Sequence, residues 1–224
     1  VLTLGSNGSS PMFSACPLDS VYIGGDISYK TTSSYGYSPF YNNKTLRAVT
    51  ITDKETEISD NEFYGCANLK SVSIGDGVET IGKYAFSGCA SLESFAFGSS
   101  MKTIGEEAFL DCIELTAITI PNSVKSIENG AFVRCVALPS ITIPNNPHFT
   151  ILNKEVFYGC STITSVDIPN NVTHIDNRAF DSCANLTNVT IPEGVTRIGV
   201  AAFYKNGLTS VTFSEMMIIM CSFP

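Results

Sequence analysis

GVETIGKYAFSGCASLESFAF, residues 77–97, is one unit of a repeat that runs along almost the whole 224-residue chain. Its apolar positions follow the pattern V-x-x-I-x-x-x-A-F-x-x-C-x-x-L-x-x-V-x-I-P, which is filled completely by the units around Phe132 and Phe180. The phenylalanine of the pattern recurs as Phe13, Phe40, Phe63, Phe86, Phe109, Phe132, Phe157, Phe180 and Phe203. From Phe40 onward the gaps are 23 residues, except for one gap of 25. Such a period predicts stacked structural repeats whose cores are covered by their neighbours.

Each unit contains the signals for one turn of a coil. The segment S-V-S-I, residues 71–74, alternates polar and apolar residues, which predicts a strand with Val72 and Ile74 facing inward. The V-x-x-I segment is expected to be a second short strand or extended turn on the opposite wall, and A-F-x-x-C a tight helical turn. The chain is therefore predicted to be a right-handed solenoid, rich in β-structure with short helical turns. We expect a parallel sheet of about nine coils around a column of phenylalanine rings.

Seven of the eight cysteines occupy one position of the repeat, three residues after the phenylalanine. Asn43 and Asn206 stand in the same position after Phe40 and Phe203. A disulfide would not tolerate this exchange, whereas a small buried side chain that bonds to the backbone of an adjacent coil would. The sequence therefore favours free thiols. Disulfides between neighbouring coils and a zinc site remain alternatives, although parallel thiols do not converge on a metal.

The repeated positions resemble those of the BspA-like family of leucine-rich repeats, whose units read much like I-P-x-x-V-x-x-I-x-x-x-A-F-x-x-C-x-x-L-x-x-V-x-I. Matching positions run from Phe13 to Phe213. The resemblance implies a secreted or surface-attached protein from a bacterium or a mucosal protist, acting in adhesion. We expect an extracellular or cell-surface location, with any signal or anchor outside this sequence. The resemblance supplies no binding residue.

Composition and charge speak against several classes of function. A net charge of −8 disfavours nucleic acid as a partner, and no apolar run reaches the roughly 18 residues that a membrane helix needs. His148 and His174 are the only histidines, and neither belongs to a nucleophile–base pattern. The predicted outward positions of the strands carry one carboxylate, Asp167, whereas glycoside hydrolysis needs two. We therefore expect no enzyme, no cofactor and no metal site.

The places where the chain departs from the repeat are the candidate recognition sites. The Tyr-rich insertion, residues 28–41, contains Tyr29, Tyr35, Tyr37 and Tyr41 among Ser, Thr and Gly, which is typical of adaptable binding loops. These tyrosines could instead cover the open end of the solenoid. The two-residue expansion within residues 145–157 adds His148 and Phe149 as candidate contacts, and a local bulge is expected there.

The chain is expected to be one domain with distinct ends. It begins with an atypical first coil (1–27), followed by the insertion (28–41), the regular coils (42–213) and a terminal cap or truncated coil (214–224). Ile218 and Ile219 fall where other coils expose polar groups, which indicates a cap or a chain–chain contact.

The function predicted from these features is non-enzymatic interaction or adhesion. The solenoid surface would bind host proteins, other cells or glycans. The alternatives are a structural spacer that displays another domain and, less favoured by the residues, a carbohydrate-active solenoid enzyme.

Overall fold

The computed structural model describes residues 2–5, 12–25, 27–30 and 38–214, with only the backbone described for 2–5 and 27–30. The strands are, in chain order, β1 (Leu2–Gly5), β2 (Ser20–Ile23), β3 (Ile27–Lys30), β4 (Ala48–Ile51), β5 (Glu57–Ile58), β6 (Ser71–Ile74), β7 (Thr80–Ile81), β8 (Ser94–Ala96), β9 (Thr103–Ile104), β10 (Ala117–Ile118), β11 (Ser126–Ile127), β12 (Ser140–Thr142), β13 (Ile151–Leu152), β14 (Ser165–Asp167), β15 (His174–Ile175), β16 (Asn188–Ile191), β17 (Arg197–Ile198) and β18 (Ser210–Phe213). All their pairings are parallel, and together they form a β-solenoid.

Two walls of parallel strands make up the solenoid. The first wall contains the even-numbered strands from β2 to β18, and the second wall contains the odd-numbered strands from β5 to β17. Only seven first-wall strands are followed by a second-wall strand within the described residues. The expectation of about nine coils is therefore corrected to about seven complete ones, because a coil needs both walls. β1 pairs with β3, which overlaps the start of the Tyr-rich insertion.

Alternation along the first wall is as predicted. In β6, Ser71 and Ser73 are exposed while Val72 and Ile74 are buried. The register places Val49 of β4 beside Val72, so identical positions of successive coils stack in the core. The V-x-x-I segments form the second wall, as expected, with the isoleucine position buried in most coils.

The corners that carry the phenylalanines are not helical, and no helix occurs in the part of the chain that the structure describes. Each corner from Phe63 to Phe203 instead has left-handed residues two positions before and two positions after the phenylalanine, such as Tyr84 (φ 56°) and Gly88 (φ 72°) around Phe86. These residues turn the N–H groups towards the next coil. The amide of Phe86 donates to the carbonyl of Ala108 at 2.8 Å. The expected helical turns are thus wrong, because only alternate corner N–H groups, such as that of Ser87, bond within their own turn, while those between them bond to the next coil.

The phenylalanine column predicted from the repeat is present. Nine rings, from Phe13 to Phe203, stack with successive centroids 5.1–5.6 Å apart. The six from Phe63 to Phe180 are fully buried. Each of these six rings is covered on both faces by the rings of the neighbouring coils, so the burial of one coil depends on the next.

Both walls are interrupted at the same place, between β10 and β12 and between β11 and β13. We call this boundary the seam. In other coils the residue before the first-wall strand donates to the preceding coil, as Glu93 N does to Lys70 O at 2.9 Å. Pro139 occupies this position at the seam and has no N–H to donate to Thr116 O.

Side chains replace part of the missing backbone bonding at the seam. Asn146 Nδ2 donates to the carbonyls of Asn122 and Val124, both at 2.9 Å, and Asn153 Nδ2 donates to Ile127 O at 2.7 Å. The corner remains continuous, since Phe132 N still donates to Val156 O at 2.9 Å.

Candidate binding surface

The outward face of the first wall contains a shallow groove of about 800 Å³. Its floor lies on β6, β8 and β10 and consists of small side chains, with Ser73, Ser94, Ala96 and Ala117 exposed. These positions are small because the outward residues of the repeat are mostly Ser, Thr or Ala. We call this depression the first-wall groove.

Two aromatic residues of β8 and its end shape the first-wall groove. Phe95 stands where most coils have Val, and its ring packs edge-on against Phe86 (5.0 Å) and Phe109 (4.9 Å) in the core. Phe97 stands where most coils have Ile, and its ring lies 4.7 Å from Phe95. Phe97 is only partly buried and lines the groove. An aromatic edge beside a floor of small residues offers apolar contact area and hydroxyl hydrogen bonds together.

The first-wall groove has one ionisable side chain, Asp76. Its Oδ1 accepts a hydrogen bond from Ser99 N at 2.7 Å, and the hydrogen bonds from Ser99 lower the pKa of this carboxyl. Asp76 therefore stays ionised and is suited to structure rather than to proton donation. Among the residues that the structure describes, no second carboxylate lines the groove to complete an acid–base pair.

The cysteine position forms hydrogen bonds to the preceding coil, as the Cys/Asn exchange predicted. Each buried thiol donates to the carbonyl of the preceding coil's phenylalanine, for example Cys112 Sγ to Phe86 O at 3.3 Å. Asn43 Nδ2 donates to Phe13 O at 2.6 Å, and the amide nitrogen of Asn206 lies 2.9 Å from Phe180 O. The seven described cysteines are free, so the alternative of disulfides between neighbouring coils is not supported among them.

Burial keeps these thiols unreactive. It raises the pKa of Cys66 and Cys183 to about 12 and that of Cys112 well above its ordinary value. A thiol that stays protonated is a poor nucleophile and a poor metal ligand. Within the described ranges, no cluster of three or more His, Cys, Asp or Glu side chains could hold a metal ion.

Exposed ion pairs link neighbouring coils outside the first-wall groove. Lys70 pairs with Glu93 at 2.9 Å, and Arg134 holds Asp111 with two bonds of 2.6 and 2.5 Å. Such exposed pairs contribute about 0 to 1 kcal/mol each and fix coil stacking more than they form a site.

The predicted contact residues that the structure describes, Tyr41, His148 and Phe149, do not form one site. Tyr41 stacks on Tyr64 with centroids 4.9 Å apart, and His148 is exposed in a different coil. Phe149 is 1% exposed, because it fills the inward valine position of its coil, so it is corrected from a contact to a core residue. Tyr35 and Tyr37, the side chain of Tyr29, and Ile218 and Ile219 of the chain end lie outside the described residues.

Phe95 and Phe97 were not predicted from the sequence as residues that shape a binding surface. Their signal was the replacement of Val and Ile by Phe95 and Phe97 in a single repeat.

In the described part of the chain, no helix has the length and apolar character required to cross a bilayer.

Comparisons with known proteins agree with this architecture. Residues 9–116, 33–150 and 102–222 match the family described as BspA type Leucine rich repeat region, in six copies. No match was found among curated proteins.

Solved structures of bacterial leucine-rich-repeat proteins are similar to this chain. The leucine-rich-repeat protein of T. pallidum shares 28% identity with a TM-score of 0.66, over 71% of this chain and 77% of that one. A leucine rich cell surface protein of Faecalibacterium prausnitzii shares 34% identity with a TM-score of 0.62, over 88% of this chain but 48% of that one. A leucine-rich-repeat protein from Bacteroides ovatus, 24% identical, shares the fold with a TM-score of 0.57, over 90% of this chain and 64% of that one. With the repeats matched along most of its length, the chain belongs to the BspA-type leucine-rich-repeat family.

Proposed function

We propose that this chain is a non-enzymatic interaction protein of the cell surface or extracellular space, and that the first-wall groove binds a segment of a partner protein. The carrying observation is the groove itself: a floor of small hydroxyl and methyl side chains beside the partly buried ring of Phe97. A continuous sheet supports it, since β6, β8 and β10 pair in register beneath it. An adhesive role in contact with host proteins or other cells fits this geometry.

Two further observations support the proposal. One solved relative is itself a leucine rich cell surface protein. The single carboxylate of the groove, Asp76, is engaged by Ser99, which leaves no pair for acid–base hydrolysis. A spacer role is the second candidate, because hydrogen bonds along two walls and a corner make a stiff rod.

The test is binding of the purified chain to an array of extracellular-matrix proteins, with an Ala96→Arg variant alongside. Ala96 is exposed on the groove floor, so arginine fills the groove while leaving stability within about 0.5 kcal/mol. Ala184→Arg places the same side chain at an exposed position outside the groove. We expect captured proteins to be lost by Ala96→Arg and retained by Ala184→Arg.

A Tyr35→Ser and Tyr37→Ser double variant separates the groove from the Tyr-rich insertion. If the double variant abolishes capture while Ala96→Arg retains it, the recognition site belongs to the insertion and the groove proposal is wrong. If the unaltered chain captures nothing, the spacer role is favoured instead.

A further inference from the structure

A second groove of about 600 Å³ lies beside the seam, away from the first-wall groove. Apart from one proline its described lining residues are polar, and they include Glu79, Lys102, Ser123, Lys125, Asn145 and Asn146. We call it the seam groove. Its position follows from the fold, because Asn145 and Asn146 begin the coil that is expanded by two residues.

The seam groove carries an uncompensated positive charge. Glu79, Lys102 and Lys125 occupy the same position in three successive coils, where Lys125 N donates to Lys102 O. Lys102 Nζ pairs with Glu79 at 2.5 Å, so these two charges neutralise each other. The next coil has the uncharged Thr150 at the position of Lys125, so it offers no partner there. Lys125 has no ion pair within the described residues. A local cation thus stands out on a chain whose net charge is −8.

The polar groups around Lys125 differ in their hydrogen bonding and exposure. The buried Oγ of Ser123 has no hydrogen-bond partner in the described structure, whereas buried hydroxyls normally have one. The backbone of Asn145 is fixed by donation of its N–H to Asn122 Oδ1 at 2.9 Å, while its side chain is exposed. Asn146 donates from Nδ2 to two carbonyls of the preceding coil and accepts at Oδ1 from His148 N, so its side chain forms a fixed wall.

We propose that the seam groove binds an acidic saccharide unit, a sugar that carries a carboxylate or a sulfate group. Lys125 pairs with the anionic group, and the exposed Asn145 amide bonds to hydroxyl oxygens of the ring. The charge-assisted bond to the ammonium supplies the strongest contact, while the amide gives selectivity for a polyhydroxylated ligand. The volume lies in the range of small-ligand sites. The site is distinct from the first-wall groove and does not depend on the function proposed for it.

The experiment is calorimetric titration of the whole chain with four probes. They are a glucuronate-containing tetrasaccharide, a sulfated tetrasaccharide, a neutral tetrasaccharide and inorganic sulfate. We expect one acidic tetrasaccharide to bind and the neutral one to bind at least tenfold more weakly; which acidic probe binds distinguishes carboxylate from sulfate. Lys125→Gln should weaken binding roughly tenfold or more, because it removes the charge-assisted bond.

Lys154→Gln is the matched control, since it removes the same charge from an exposed lysine at a corner outside the seam groove. Equal weakening by both variants would show non-specific attraction and overturn the proposal. Inorganic sulfate binding as tightly as the saccharides would reduce the site to a simple anion site, and no binding of either acidic probe would also refute it. Ala96→Arg should leave saccharide binding unchanged, which keeps this outcome separate from that of the first-wall groove.

Discussion

One position of the repeat is occupied by cysteine in most coils and by asparagine in two of them. The side chain three residues after each phenylalanine must donate a hydrogen bond to the phenylalanine carbonyl of the preceding coil. Cysteine does so in the interior, where Cys89, Cys112 and Cys135 are completely buried. Asparagine does so as Asn43, which is equally buried, and as Asn206. The position therefore selects a small donor, and sulfur chemistry is not required.

Cys112→Ala tests this role of the cysteine position. Alanine cannot donate to Phe86 O, so a buried carbonyl loses its partner and a small void forms. We expect the free energy of unfolding to fall by about 1 to 3 kcal/mol, measured by urea denaturation.

Cys16→Ala is the control for Cys112→Ala, because Cys16 is only partly buried in the first described coil. It should change the free energy of unfolding by less than about 1 kcal/mol. Equal losses for the two variants would contradict a specific role for the buried hydrogen bond.

At the scale of strands, the seam divides each wall into two sheets while leaving the corner intact. Pro139 removes one donor from the first wall, and Asn146 and Asn153 substitute side-chain bonds for backbone bonds on the second wall. These few side-chain hydrogen bonds fix fewer backbone groups than the continuous backbone hydrogen bonds between paired strands do. The seam is therefore the place where local opening should cost least.

Pro139→Thr should restore the missing first-wall bond, because the threonine N–H can donate to Thr116 O. We expect hydrogen exchange at the amides of β10 and β12 to slow by roughly tenfold, equivalent to a bond of about 0.5 to 1.5 kcal/mol. Global stability should change by less than about 1 kcal/mol, because losing proline also frees the unfolded chain.

Thr116→Pro is the reciprocal variant, since it removes the bond from Thr116 N to Glu93 O. It should accelerate exchange in β8 and β10. Unchanged exchange in both variants would show that the seam does not depend on the proline.

The sequence predicts the strands well and the corners poorly. The repeat places Val72 and Ile74 inward and locates the phenylalanine column, because alternation and period act on every coil alike. The spacing of Ala, Phe and Cys at the corners resembles a helical turn, and only the backbone shows that residues such as Tyr84 are left-handed. The seam escaped prediction although Pro139 is visible in the sequence, because its effect depends on the Thr116 carbonyl opposite. The first-wall groove depends on small differences in volume at Ala96 and Phe97 that a repeat pattern averages out.

At the scale of the molecule, the buried thiols link stability to pH. Six of them, Cys66, Cys89, Cys112, Cys135, Cys160 and Cys183, have pKa values raised by burial, to about 12 for the first and last. The ordinary pKa is 9.0, so above pH 9 the unfolded chain releases protons that the folded chain retains. The thiols therefore stabilise the fold fully below pH 9, and this contribution is lost as pH rises towards 12.

Stability should consequently fall steeply in alkaline solution, by up to about 1.4 kcal/mol per pH unit for each buried thiol. Urea denaturation between pH 8 and 10.5 measures this slope. Cys112→Ser is the informative variant, because serine can still donate to Phe86 O but does not titrate in this range. In this variant the free energy of unfolding should fall less steeply with pH, by about the contribution of one thiol. A flat profile from pH 9 to 10.5, or an unchanged slope in Cys112→Ser, would mean that the thiols do not remain protonated in the fold. Because stacked coils share one core, we expect alkaline unfolding to be cooperative along the whole solenoid rather than confined to its ends.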